Sequence, residues 1–222
     1  TSSDPSPHAM TSTSAPSDAA CENPRRAALL DAATSVLATS GLRGLTHRAV
    51  DRQAGFPEGT CSVSFRTRAA LLAGLTTHVG SRVAVQVRAL GEQIPSGTDD
   101  PLATAPFATA LLERWVTQDD GALMVAILEL SLESLRTPEL APAVGEWRSE
   151  LVSIVETIVC RTSETGARSD SRLRAETAVA SIEGIVLSAL AQPAERRGPY
   201  IDKTLRMVLL GTASPEDARP TH

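Results

Sequence analysis

The chain reads as all-α, with an N-terminal helix-turn-helix unit followed by a larger helical domain, and three observations carry that reading. Apolar residues recur three and four apart through most of the 222 residues, and no stretch alternates with period two over a useful length. The breaks fall at glycine, at proline or at Ser/Gly/Asp clusters, the residues that stop helices. Aromatic side chains make up only 3% of the chain, while Ala, Leu and Val are abundant, which suits close helix packing.

The elements follow in order. Residues 1–23 are Ser, Thr, Pro, Ala and Asp with almost no large apolar side chains, so a flexible tail is expected, and a second one over 213–222. Arg25 to Leu37 puts Leu29, Ala33, Val36 and Leu37 on one helical face, and Gly41 stops it. Thr46 can cap a short helix carrying Ala49, Val50 and Ala54, which Gly55 ends in the left-handed conformation. A second short helix is expected to start near Pro57 to Gly59 and run to about Phe65, with Pro57 in its first turn but supplying no capping oxygen. Arg68 to about Leu90 carries Leu72, Leu75, Val79, Val83 and Val87 at helical spacing and should link the two domains. Gln93 to Pro101 reads as a loop. Leu102–Val116, Ala122–Leu135, Glu139 to about Val159, Arg172–Ala191 and Pro199–Leu210 read as helices, separated by Gly121, Thr137-Pro138, a Ser/Gly/Asp segment and Gln192-Pro193.

Two short helices hinged at a glycine have the form of a DNA-reading element, since a small-faced helix held at a steep angle to its neighbour can enter the major groove. Thr60, Ser62, Val63 and Ser64 are small and outward between the apolar positions Cys61 and Phe65. Charge agrees. Between residues 25 and 82 stand Arg25, Arg26, Arg43, Arg48, Arg52, Arg66, Arg68 and Arg82 against Asp31, Asp51 and Glu58, although the whole chain is net −5. A basic end on an acidic protein is the footprint of a localised phosphate contact. The other reading of these residues is a small helical core with no nucleic acid nearby.

The order of an amphipathic helix with paired alanines, Ser40-Gly41, Leu45-Thr46, Arg48, Val50, Ala54-Gly55, Gly59-Thr60, Phe65, Arg68 and Leu71-Leu72 resembles the N-terminal domain of the TetR family of bacterial transcriptional regulators. The resemblance spans roughly residues 25 to 75. It implies a recognition helix over about 58–65, with Thr46, Arg48, Thr60 and Ser62 facing DNA and Arg68 taking a phosphate. The chain departs from the family pattern at Pro57, Cys61, Ser62 and Ser64, where Ser, Leu, Tyr and Tyr or His are usual. His47 lies beside the expected groove, as a phosphate contact or as a solvated helix-start residue. Glu58 can accept from cytosine N4 or repel the backbone, and Gly59 opens the reading helix. The domain boundaries are then 24–75 for DNA binding and 76–212 for ligand binding and dimerisation.

Two later helices look like an interface. Val179, Ile182, Val186 and Leu190 form an apolar stripe, with Ser181, Gly184 and Ser188 as a small-residue stripe beside it. A mid-helix glycine costs about 1 kcal/mol relative to alanine, so Gly184 points to close helix approach. The last helix adds Ile201, Leu205, Val208 and Leu209. In TetR-like proteins the corresponding helices pair with their copies in a second subunit, and the resemblance implies a homodimer; the alternative is burial of both stripes within one chain. Phe107, Leu111 and Trp115 recur every four residues, with Met124 and Leu128 on the next helix and Trp147 on the third. These could line an apolar pocket or simply fill the core.

Other classes find little support. No Ser/His/Asp set, glycine-rich phosphate loop or metal-ligand spacing is present, so neither catalysis nor a cofactor or metal is expected. Of the histidines, His8 and His222 lie in the tails and His47 and His78 in the basic half. Cys21, Cys61 and Cys160 are odd in number and far apart, which argues against disulfides or zinc and for a reducing cytoplasm. No apolar run approaches bilayer length and no signal pattern opens the chain, so no membrane partner is expected. Glu129 and Glu133, four apart, read as a solvated face. The expected function is a homodimeric repressor that binds a near-palindromic double-stranded operator and is released by a small, largely apolar inducer. The alternative is a ligand- or partner-binding helical protein whose DNA contacts have decayed.

Overall fold

A computed structural model describes residues 23–96, 100, 102–162 and 170–213. Among these lie nine α-helices, α1 (Pro24–Gly44), α2 (His47–Ala54), α3 (Thr60–Ser64), α4 (Arg68–Gln93), α5 (Ala105–Thr117), α6 (Ala122–Ser134), α7 (Ala141–Thr162), α8 (Ser171–Leu190) and α9 (Ala194–Ala213), and no strand. Residues 1–22 and 214–222 of the expected tails and most of the Ser/Gly/Asp segment before α8 lie outside the described residues, while residue 23 caps α1 and residue 213 ends α9.

Local chemistry accounts for most helix ends. The Asn23 side chain accepts from the Arg25 N–H at 3.1 Å and Pro24 opens α1, while Gly41 breaks its regular path at φ 63°. The Thr46 hydroxyl accepts from Ala49 N–H at 3.1 Å, and Gly55 closes α2 at φ 68°. Thr67 caps α4 through Ala70 N–H at 3.0 Å. A short 3-10 turn, Gln118–Gly121, joins α5 to α6.

Several boundaries differ from the sequence reading, among them the starts of α5, at Ala105 rather than Leu102, of α3 and of α9. Helix α3 begins at Thr60, with Gly59 as its N-cap at φ 93°, so Pro57 lies in the preceding turn. A β-carbon would strain that left-handed backbone, and glycine removes the penalty. Helix α9 begins at Ala194 and runs through Pro199, five residues earlier than expected. Pro199 removes one intrahelical N–H, and Arg197 ties the start of the helix to its surroundings, its Nη1 donating to Val116 O at 2.9 Å and its Nε to Gln192 O at 3.3 Å.

Leu29, Ala33, Leu37, Leu45, Val50, Cys61, Phe65 and Leu75 close the small N-terminal core around α1 to α3 and the start of α4. The second domain packs α4 on α7, α7 on α8, α8 on α9 and α5 on α9. Two joints hold the parts together. Helix α6 packs along α1, and Asp31 of α1 accepts from His78 Nε2 and Arg82 Nη1 of α4, both at 2.9 Å.

The α4–α7 crossing is tight because Gly80 faces Trp147. A β-carbon at residue 80 would sit 2.6 Å from Trp147 Cβ and 2.8 Å from its Cγ. Those atoms are near the backbone and cannot swing away. Gly80→Ala is therefore expected to lower stability by about 1–2 kcal/mol despite alanine's better helix propensity. Urea unfolding followed by circular dichroism checks this, and an unchanged or raised midpoint would contradict it.

Candidate nucleic-acid interface and interior cavity

Helix α3 has no capping side chain of its own, because Gly59 occupies the N-cap and Pro57 precedes it. The cap comes from the neighbouring helix. Asp51 of α2 is 1% exposed, and its carboxylate accepts from Gly59 N–H at 2.9 Å and Cys61 N–H at 2.7 Å. One buried acid thus satisfies two donors at the entry to α3 and sets the angle between the helices. The inner face is anchored by Cys61 and Phe65, both buried. Burial, and secondarily the Asp51 charge, pushes the Cys61 thiol up to about 11, so it stays protonated at neutral pH and lacks the thiolate an oxidant needs.

The far end of α3 is held by two basic residues. His47 Nε2 donates to the Phe65 carbonyl at 2.7 Å. Arg26 Nη1 donates to Ser64 O at 3.2 Å and its guanidinium lies 4.1 Å from the centre of the Phe65 ring. Arg25 reaches Thr60 Oγ1 at 3.5 Å and stands over Phe56 at 5.2 Å. Arg68 donates to the Leu42 and Leu45 carbonyls, tying the start of α4 to the end of α1. Arg48 and Glu58 pair at 2.9 Å while both stay largely exposed.

Thr46, Arg48, Glu58, Ser62 and Val63 are exposed and Thr60 is half-buried, with the Arg48–Glu58 pair joining α2 to the turn before α3. Ser64 is half-buried and contributes its carbonyl to Arg26. His47 donates to one backbone carbonyl and Arg68 to two, and Gly59 spends its N–H on Asp51. The sequence reading missed Asp51, Arg25 and Arg26 as supports. A signal for Asp51 was present: a helix entry lacking any capping oxygen requires an acceptor from elsewhere.

In the second domain, α4 to α9 line a cavity of about 490 Å³ that is partly open to solvent. Leu111, Trp115, Met124, Leu128 and Trp147 line it as expected. Phe107 does not; the wall on α5 runs through Thr104, Ala108, Leu111 and Trp115. Steps of four drift by about 40° each, so two steps back from Trp115 carry Phe107 out of the wall. A polar cleft lined by Asp31, His78, Arg82, Gln86 and Arg114 lies beside it. Gln86 accepts from the Trp115 indole N–H at 2.8 Å, which links cleft to cavity.

The residues expected at a dimer interface divide between the pocket wall and the surface of the protomer. Val179, Ile182, Val186, Leu205 and Leu209 line the cavity, so they serve the protomer's own interior. Ser181 and Ser188 are half-buried. Gly184 is exposed, and a β-carbon there would meet nothing within 4 Å. The outward face of α8 carries Leu173, Thr177, Ala180, Gly184 and Leu187, with Met207 and Leu210 exposed on α9. Glu133 accepts from the Thr137 hydroxyl at 2.8 Å and lies 3.9 Å from Arg136. No cluster of residues able to hold a metal, and no helix long and apolar enough to cross a membrane, occurs among the described residues.

A capped helix-turn-helix beside a separate helical domain with its own cavity defines the class of two-part helical regulators. Residues 99–211 match the family model described as tetracyclin repressor-like, C-terminal domain, and the chain belongs to the TetR family of transcriptional regulators. The fold is similar to that of a transcriptional regulator from Rhodococcus sp. Rha1, at 19% identity and TM-score 0.64, over 84% of this chain and 96% of that one. It is also similar to the multidrug binding protein EbrR complexed with ethidium, at 25% identity and TM-score 0.58, over 83% and 98%. The imidazole complex of EbrR aligns at 25% identity and TM-score 0.57, over 84% and 90%. No curated protein matches the chain.

Proposed function

We propose that this protein is a homodimeric repressor that acts in the cytoplasm, binds a near-palindromic double-stranded DNA operator through two copies of α3, and is released by a small, largely apolar molecule. The observation that carries the reading is the outer surface of α3, held from both ends by Asp51, His47 and Arg26 and bordered by arginines on a chain of net acidic charge. A small helix fixed at both ends and bordered by arginines is suited to a groove. Two copies on a two-fold axis would meet half-sites about 34 Å apart or a multiple of that.

The outward stripe of α8 and the exposed Met207 and Leu210 of α9 are the surfaces proposed for the two-fold contact. Coupling is supported by α6. Met124, Ile127 and Leu128 of that helix line the cavity, while the helix itself packs along α1. An occupant that shifts α6 or α4 would change the spacing of the two α3 helices. The EbrR complex with ethidium makes flat aromatic compounds the first inducers to try.

The test uses the DNA upstream of the protein's own coding region. Binding is expected to weaken steeply as salt rises, because phosphate contacts release counterions. Both tryptophans of the chain, Trp115 and Trp147, line the cavity, so intrinsic fluorescence reports occupancy directly. Ethidium and proflavin are titrated while fluorescence and operator release are followed together. Salt-insensitive or absent DNA binding would favour the decayed-contact reading, and cavity occupancy without change in DNA affinity would remove the coupling.

A further inference from the structure

The hydroxyls on the outer face of α3 have committed their protons, and what protrudes is a hydrocarbon. Thr60 Oγ1 donates its one proton to Pro57 O at 2.7 Å, and Ser62 Oγ donates to Gly59 O at 2.8 Å. Each hydroxyl therefore retains only acceptor capacity. The Arg48 guanidinium, the nearest strong donor on α2, is turned onto Glu58 through both Nε and Nη2. Val63, on the same short helix, is 83% exposed.

We propose that Val63 reads thymine through its 5-methyl group, with Thr60 and Ser62 restricted to accepting from the exocyclic amines of adenine or cytosine. In the major groove guanine offers the acceptors N7 and O6, adenine and cytosine offer amine donors, and thymine alone offers a methyl. The outer side chains of α3 itself, two hydroxyls whose protons are spent and one exposed isopropyl group, offer the N7 and O6 of guanine no donor. An A·T pair supplies both complements, the amine to a hydroxyl and the methyl to Val63. The inference rests on α3 being the reading helix, and it goes further by specifying which base the helix selects and by which atoms.

The test starts from the duplex that full-length protein selects out of a random DNA pool. Each thymine is replaced singly by deoxyuridine, which deletes the methyl and leaves the Watson–Crick edge intact. One symmetry-related position in each half-site is expected to lose about three- to fivefold in affinity. Val63→Ala is expected to bind more weakly and to lose its response to deoxyuridine at that position alone, the signature of a direct contact. Val63 is so exposed that the variant should fold, and circular dichroism verifies it. A wild type indifferent to every replacement, or a Val63→Ala protein that keeps the deoxyuridine response, overturns the proposal while leaving DNA binding intact. Failure to select any DNA overturns both.

Discussion

Replacing Gly184 with arginine is expected to yield a folded monomer that no longer holds its operator. Residue 184 is open within the protomer, where an added β-carbon meets nothing within 4 Å, so the side chain costs the isolated subunit little. Between subunits the case reverses. Leu173 and Leu187, 64% and 56% exposed, flank the small residues Thr177, Ala180 and Gly184, while Met207 and Leu210 stand exposed on α9. A face of this kind lets two helices approach closely, and a long charged side chain in its centre would be desolvated without a partner. Light scattering should then give half the wild-type mass with an unchanged helical spectrum. Operator affinity should fall by about 10²-fold or more, because one α3 reaches a single half-site and the gain from linked binding disappears. A variant that remains dimeric with undiminished affinity would place the contact elsewhere.

The second large effect is expected from Asp51→Ala. The carboxylate is buried and serves two backbone donors, so its removal leaves Gly59 N–H and Cys61 N–H without acceptors. Loss of a cap together with an unsatisfied buried donor should cost about 2–4 kcal/mol. The damage falls on the five residues of α3, which make too short a helix to persist without tertiary support. DNA binding should therefore be lost at temperatures where α4 to α9 stay folded, and Asp51→Asn, which keeps one acceptor oxygen, should retain part of it. Urea unfolding and hydrogen exchange over residues 59–65 test the point. A stability change below about 0.5 kcal/mol with normal DNA binding would show that Asp51 is not the support of α3.

Much of the architecture was legible in the residues. Thr46 and Gly55 bound α2 as expected because a hydroxyl cap and a left-handed glycine act within a single turn. Gly41 and Gly121 interrupt the chain where they stand, for the same local reason. The entry to α3 was less legible. Its acceptor, Asp51, is eight residues from Gly59 and ten from Cys61 and belongs to another helix. Arg68 reads as a phosphate contact from the order of residues, and the backbone carbonyls of Leu42 and Leu45 come within its reach only on folding.

Amphipathic spacing determined that α5 and α8 would be helices, since a period of 3.6 needs only the order of residues. It did not determine how each helix is turned about its axis. Helix α8 carries apolar side chains on more than one face, and the choice between Val179, Ile182, Val186 and the outward Leu173, Leu187 was made by where α7 and α9 could pack against it. The same rotation admits Trp115 to the cavity and leaves Phe107 outside. Helix formation is set by neighbours in the chain, whereas the facing of a helix is set by the surfaces it must bury, and those surfaces come together only on folding.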